Sequence, residues 1–252
     1  MGVIPTRMFP LGVGHGKETR GSVLFQRTDT ATTGLIVDNL FSAIPTTFTI
    51  TAWAKAVESP TYGGIFKLGW CSTAQGGGGA GIGFGFGTNS FSAASPGSNA
   101  VILAEAYAWN SFGSAGTITQ WRHYAVTKSG NTITVYANGS RIAQKSQSSI
   151  STGACPFSIG GGHTLLSIPS HLASASRLFY GNITRVAMWT SALTAAQVAT
   201  DYADGGNDPS VASGLVHFWP MSTDANFLTD SVGGATLTQT VNATFSMETP
   251  FA

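Results

Sequence analysis

The segment Thr132 to Gln144, TITVYANGSRIAQ, restricts the fold more than any other stretch of the chain, because two alternating runs flank Asn138-Gly139. That dipeptide tolerates the positive φ angles of a type I′ turn, so the segment reads as a β-hairpin. Just upstream, Trp121-Arg122-His123-Tyr124-Ala125-Val126-Thr127 reads as another strand, and Ser129-Gly130-Asn131 supplies the turn that joins it to the hairpin. Three consecutive strands form a meander.

Period-two alternation recurs in Phe48-Thr49-Ile50-Thr51-Ala52-Trp53-Ala54, and again where Ile82, Phe84 and Phe86 are separated by Gly81, Gly83, Gly85 and Gly87. Those glycines face one side of their strand, which admits either tight sheet packing or a platform for a ligand. The 32 glycines, with many Ser, Thr, Ala and Asn, lie between short β-branched and aromatic runs from about Ser22 to Phe245. This is the pattern of an all-β sandwich or barrel. No Pro-rich linker or charge block divides the chain, so one domain over 22–252 follows an N-terminal arm over 1–21. The one helical signature is Thr194-Ala195-Ala196-Gln197, a capping box, followed by Val198 and Tyr202 on one face and by Gly205-Gly206 as a stop. A helix of two to three turns is stable only when docked, so it caps the sandwich.

Charge narrows the partners. With 12 basic and 11 acidic side chains the net charge is +1 and only 9% of residues are charged. Phosphate binding needs clustered Lys and Arg, so nucleic acid and anionic membrane surfaces are excluded. No apolar stretch approaches the roughly 18 residues of a bilayer-spanning helix. The 42% hydrophobic content, with 15 Phe, 6 Trp and 6 Tyr, excludes disorder. The opening MGVIPTRMFPLGVGHGKETRGS breaks any apolar run with Pro5, Arg7, Pro10, His15 and Lys17, and so carries no visible secretory signal. Cys71 and Cys155 cannot make a four-ligand zinc site, and their spacing does not specify a disulfide.

The order of these signals resembles the laminin-G-like jelly roll of the concanavalin A-like lectin and glucanase superfamily. Ser22-Val23-Leu24-Phe25 resembles its opening strand, and Phe48 to Ala54 its phenylalanine-to-tryptophan strand. Trp121 to Thr127 with Val135-Tyr136-Ala137-Asn138-Gly139 resembles its central signature, and Phe157-Ser158-Ile159-Gly160-Gly161 its next strand. Tyr180 to Trp189, then Ala192 to Val198, resembles the segment before and through the small helix, and Leu215 to Met221 the closing strand. The resemblance implies an all-β fold: a two-sheet antiparallel jelly-roll sandwich with one short capping helix. It says less about function, since such folds host lectins, adhesion modules, hydrolases and structural proteins alike.

Catalytic chemistry finds little support. A glycosidase of this superfamily needs two carboxylates on one strand face, one to protonate the leaving oxygen and one to act as nucleophile or base. Glu105, in Val101-Ile102-Leu103-Ala104-Glu105-Ala106-Tyr107, has no acidic partner at Leu103, Tyr107 or Trp109. Asp201, Asp204 and Asp208 fall at the helix end and the loop beyond, and Asp224 and Asp230 in a turn-like region. His123 and His217 sit in strands beside aromatics, and His163 and His171 in or near a Gly- and Ser-rich loop, with no metal-ligand spacing; all read as surface or core imidazoles. Gly76, Gly78 and Gly81 match a dinucleotide fingerprint only because glycines run together, and a strand follows where a helix is needed. No cofactor is called for. Calcium on Asp29 and Asp38, which flank a turn-like segment, is the one metal the pattern admits. Sequons stand at Asn138, Asn182 and Asn242, the first already explained by its turn.

Surface recognition remains. Tyr62, Trp70, Trp109 and Phe112 fall in or beside Gly- and Ser-rich loops, where aromatics stack on sugar faces, and Asn110 supplies an amide that orients a hydroxyl. Two functions fit. One is a non-enzymatic virion protein, decorating a capsid or associated with a tail, whose partners are other virion proteins or copies of itself. Its arm, frayed unless tied down, would dock on a neighbouring subunit, and its nearly neutral surface would favour a homo-oligomer. The other is an extracellular or particle-mounted carbohydrate-binding module that holds surface glycans.

Overall fold

The computed structural model describes residues 21–26, 34–57, 62–69, 82–87, 99–104, 108–146, 155–160, 179–205, 209, 212–223, 225, 227–239 and 243–251. In chain order the first strands are β1 (Ser22–Phe25), β2 (Leu35–Phe41), β3 (Thr47–Ala56), β4 (Tyr62–Leu68), β5 (Ile82–Gly87), β6 (Asn99–Ala104), β7 (Ala108–Ser114) and β8 (Arg122–Ser129). They continue as β9 (Thr132–Ala137), β10 (Ser140–Ser146), β11 (Cys155–Ile159) and β12 (Gly181–Trp189). After helix α1 (Ala195–Ala203) come β13 (Leu215–Trp219), β14 (Thr238–Gln239) and β15 (Ala243–Ser246). An eight-stranded sheet runs β10-β9-β8-β3-β12-β1-β15, with β13 also paired to β12. A seven-stranded sheet runs β14-β2-β11-β4-β5-β6-β7, and every pairing is antiparallel. The expected jelly-roll sandwich is the architecture found.

Alternation places the core. Phe48, Ile50, Ala52 and Ala54 of β3 and Tyr124 and Val126 of β8 meet Ile82, Phe84 and Phe86 of β5 and Phe157 and Ile159 of β11. Tyr124 joins the two sheets: its ring lies 5.7 Å from Phe84 and 5.1 Å from Phe86, and its hydroxyl donates to the Ala115 carbonyl at 3.1 Å. Burial pushes that phenol's pKa far upward, the nearby Arg122 charge opposing only in part, so it stays a neutral donor. Gly83 and Gly85 alternate with these phenylalanines along β5 and are buried as well.

The hairpin forms where expected. Asn138 and Gly139 adopt φ 48° and 75°, and Asn138 Oδ1 accepts from the His123 amide at 3.0 Å. The turn lies beneath α1, since a Cβ on Gly139 would stand 3.1 Å from the Ala199 Cα. Helix α1 starts at the predicted capping box: Gln197 N donates to Thr194 Oγ1, and Thr194 N donates to Gln197 Oε1. It docks Val198 into a second apolar cluster with Ala125, Tyr136, Ala187, Trp189, Leu193 and Phe218 on the outer face of the eight-stranded sheet.

Several placements differ from expectation. Trp109, Asn110 and Phe112 lie inside β7, at one edge of the seven-stranded sheet, instead of in loops, while Tyr62 stands at the first position of β4. Asp38 lies within β2 and not at the flank of a turn, whereas Asp201 sits in the last turn of α1, as expected, and is buried there. Segments rich in Gly, Ser and Asn become strands here because cross-strand pairing overrides a weak intrinsic preference. Trp70, Glu105, Asp29, Cys71, Asp208, Asp224, Asn242, His163, His171, the Gly76–Gly81 run and residues 1–20 of the arm lie outside the described residues.

Candidate functional site

A cleft of about 440 Å³ opens on the outer face of the eight-stranded sheet, lined by Leu24, Gln26, Val57, Tyr180, Asn182, Ser246 and Glu248. Strand register builds it. Leu24 of β1 stands opposite Asn182 of β12, which stands opposite Lys55 of β3, so the three share one cross-strand row. Core residues Val23 and Ile183 alternate with that row, which fixes it on the outer face. Beyond the strands, the Val57 amide donates to the Tyr180 carbonyl at 2.9 Å and holds these two residues together at the rim.

The second wall is the chain after β15. Ser246 leads into a strap, Met247 to Phe251, that crosses the outer face toward β3. Phe251 ends against Trp53, ring centroids 5.2 Å apart and nearly perpendicular, with the Arg185 guanidinium 4.8 Å above its ring. Arg185 reaches this place because β12 bulges: the register shifts between Thr184 and Ala187, and Arg185 takes φ 52°. Glu248 is pinned midway along the strap. Its amide donates to Ser246 Oγ at 3.1 Å, its carbonyl accepts from Ser22 Oγ at 2.6 Å, and its carboxylate pairs with Lys55 Nζ. Asn182 Nδ2 in turn donates to Ser22 Oγ at 3.0 Å, giving a chain of bonds from the cleft floor to its wall.

The surface is therefore mixed in character: a tyrosine, two amides, a carboxylate and a serine hydroxyl beside Leu24 and the exposed apolar Val57. Such a lining offers an apolar face to C–H groups and several acceptors to hydroxyls, in the volume range of small-molecule sites. The glycosylation reading of Asn182 fails, since the residue is 2% exposed and its Nδ2 is committed to Ser22.

Two buried imidazole–carboxylate pairs lie away from the cleft. His123 Nε2 stands 2.9 Å from Asp201 Oδ2, both about 1% exposed, and ties β8 to α1 beneath Trp53 and Tyr202. His217 Nδ1 stands 2.7 Å from Asp230 Oδ2. Asp230 also accepts from the amides of Phe218, Val232, Gly233 and Ala235, at 2.9 to 3.1 Å. Burial alone would raise its pKa, but these amides and His217 together hold the carboxyl below its ordinary range. Both pairs brace the fold. The core reading of His123 and His217 holds, whereas their acidic partners, 78 and 13 residues away, gave no sequence signal. Among the described residues no group of three His, Cys, Asp or Glu is placed to hold a metal.

Of the residues expected to bind, Tyr62 begins β4, opposite Gly87, while Trp109 and Asn110 face Leu103 and Ile102 in the β6–β7 register. These positions, with Phe112, belong to strands of the other sheet, apart from the residues that line the cleft.

Fold and cleft together define a lectin-like β-sandwich, two antiparallel sheets with one outer face partly roofed by a helix. The chain belongs to the Laminin G 3 family of the concanavalin A-like lectin/glucanases superfamily, whose model matches residues 28–199. Among solved structures it is similar to a candidate carbohydrate-binding protein from Bacteroides ovatus, at 17% identity and TM-score 0.65, over 92% of this chain and 61% of that one. It thus spans about three fifths of that protein's length. It is also similar to the native heptameric SAP-like pentraxin of Limulus polyphemus, at 17% identity and TM-score 0.62, over 92% of this chain and 96% of that one. The full extracellular region of zebrafish Gpr126/Adgrg6 matches at 16% identity and TM-score 0.53, over 88% of this chain and 26% of that one. At such identities the likeness shows the fold. No curated protein matches the chain.

Proposed function

We propose that this domain is a non-catalytic carbohydrate-binding module whose ligand sits in the cleft between Tyr180 and the strap. The observation that carries this reading is the cleft lining itself: Tyr180, Gln26, Asn182 and Glu248 converge on one volume beside Leu24 and Val57. Sugars present C–H faces and hydroxyl edges, and this combination answers both. Binding without turnover is supported by the carboxylates, because glycoside hydrolysis needs two of them about 5–9 Å apart. Among the described residues that line the cleft, Glu248 is the one acid, and its charge is matched by Lys55. Membership of a superfamily of lectins and glucanases supports the substrate class.

Calorimetry of hits from a glycan array, on wild type, Tyr180→Ala and Trp109→Ala, tests the assignment. Losing one stacked ring costs about 1–2 kcal/mol, so Tyr180→Ala is expected to weaken binding about tenfold. A loss in Trp109→Ala instead would move the site to the seven-stranded sheet, and turnover of any hit would overturn the non-catalytic reading. A second reading, that the module is mounted on a virion and associates with copies of itself, draws its support from the net charge of +1, which leaves little repulsion between copies. Mass spectrometry of purified particles for this chain and its copy number is its test.

A further inference from the structure

Resting on that carbohydrate reading, we propose that Glu248 makes the cleft selective for neutral glycans and turns away sugars that carry a carboxylate, such as uronic acids.

The position of Glu248 is fixed from both sides. Its amide and carbonyl are held by Ser246 Oγ and Ser22 Oγ, and the strap that bears it is anchored at Phe251 between Trp53 and Arg185. These bonds fix the backbone that bears the carboxylate, and the carboxylate cannot swing away from an arriving anion without breaking the Lys55 pair. It is a cleft-lining group, whereas Lys55, at the end of the same cross-strand row, is not among the residues that line the cleft and turns its ammonium onto the Glu248 carboxylate. An ionised carboxylate only accepts hydrogen bonds, and its two oxygens suit a pair of neighbouring sugar hydroxyls. A ligand carboxylate in the same volume has no proton to offer and meets a like charge within a few ångströms. At an intermediate dielectric that repulsion lowers affinity about tenfold or more. Leu24 and Val57 bring no compensating positive charge.

The experiment uses two matched oligosaccharides, one ending in glucose and one in glucuronate, titrated at low ionic strength into wild type, Glu248→Gln and Lys55→Gln. Wild type is expected to favour the neutral sugar at least tenfold. Glu248→Gln should lower that ratio at least fivefold, since it keeps the shape and removes the charge. Lys55→Gln, which leaves Glu248 uncompensated, should raise the ratio. The exposed Lys55–Glu248 pair contributes little to folding, so both variants remain folded. Equal or tighter binding of the glucuronate by wild type, or a ratio unmoved in Glu248→Gln, would overturn the selectivity while leaving carbohydrate binding intact. If wild type takes neither sugar, nor any other neutral glycan, the carbohydrate reading fails and the selectivity with it.

Discussion

Replacing Asp230 by asparagine removes one charge and exchanges one acceptor oxygen for a donor, and the geometry says which bonds that breaks. Oδ1 accepts from the Phe218, Val232 and Gly233 amides, and an asparagine Oδ1 can keep these three as neutral bonds. Oδ2 accepts from Ala235 and meets His217, so the new amide group would point hydrogens at the Ala235 N–H. Bonds to a charged group contribute about 1.5–3 kcal/mol and neutral ones about 0.5–1.5. Losing one bond, weakening three and disturbing His217 therefore costs about 3–4 kcal/mol, discounted to about 2–3 because water can reach the turn over 231–234, whose residues are exposed. For a domain of this size that is a fall in Tm of about 4–12 °C. The sign with pH follows from the depressed pKa: the contribution is complete above the unfolded aspartate value, about 3.9, and fades as pH falls through the lower folded value. Urea melts of wild type and Asp230→Asn at pH 7 should differ by that amount, and the gap should narrow as pH falls below about 4. A gap under about 0.5 kcal/mol at pH 7, or one that widens as pH falls below about 4, would refute the assignment of Asp230 as a charged knot.

Two other substitutions probe the frame around the cleft. Thr194→Ala removes the capping box of α1 and should cost about 1 kcal/mol, with amide exchange accelerating first at Ala196 and Gln197. Gly181→Ala should cost more than about 3 kcal/mol, since φ is 147° and the new Cβ would collide with the Lys55 carbonyl and lie 2.7 Å from the Ala56 Cα. Gly130→Ala is its control: φ is 55° with nothing within 4 Å, so thermal melts should register only about 1 kcal/mol of left-handed backbone strain.

Strands β3, β5, β8, β9 and β10 could be read from residue order because each alternates over a core face or is bounded by a turn dipeptide, and Thr194 with Gln197 announced the helix; β12, buried along its whole length, came only with the family resemblance. Strands β4 and β7 could not. Tyr62-Gly63-Gly64 and Ala108-Trp109-Asn110-Ser111 carry turn-forming residues, and only pairing with β5 and β6 makes them extended. The cleft was less legible still. Ser22 and Glu248, whose bond fixes its wall, stand 226 positions apart, and Asn182 reaches Ser22 across 160. Local patterns report faces of single elements and carry no trace of such pairs. Asn182 did attract notice as a sequon, but its amide serves the floor of the cleft.

The outer face of the eight-stranded sheet explains why a recognition site arises where it does. An apolar outer face must be covered, and α1 with its Val198 cluster covers the part over β8, β9 and the C-terminal half of β12. The strap covers the part over Trp53, and it stays there because the β12 bulge sends Arg185 over Phe251. Between strap and sheet edge runs the row Lys55, Asn182, Leu24, in which Lys55 and Asn182 find polar partners in Glu248 and Ser22. Thr184, at the start of the bulge, spends its hydroxyl on the Gly21 and Pro220 carbonyls, so the same irregularity braces β1 against β13 while it positions the strap. A bulge in a central strand is hard to account for by core packing alone. Here it sets the height of the wall that carries Glu248, and so links the backbone of β12 to what the cleft can hold.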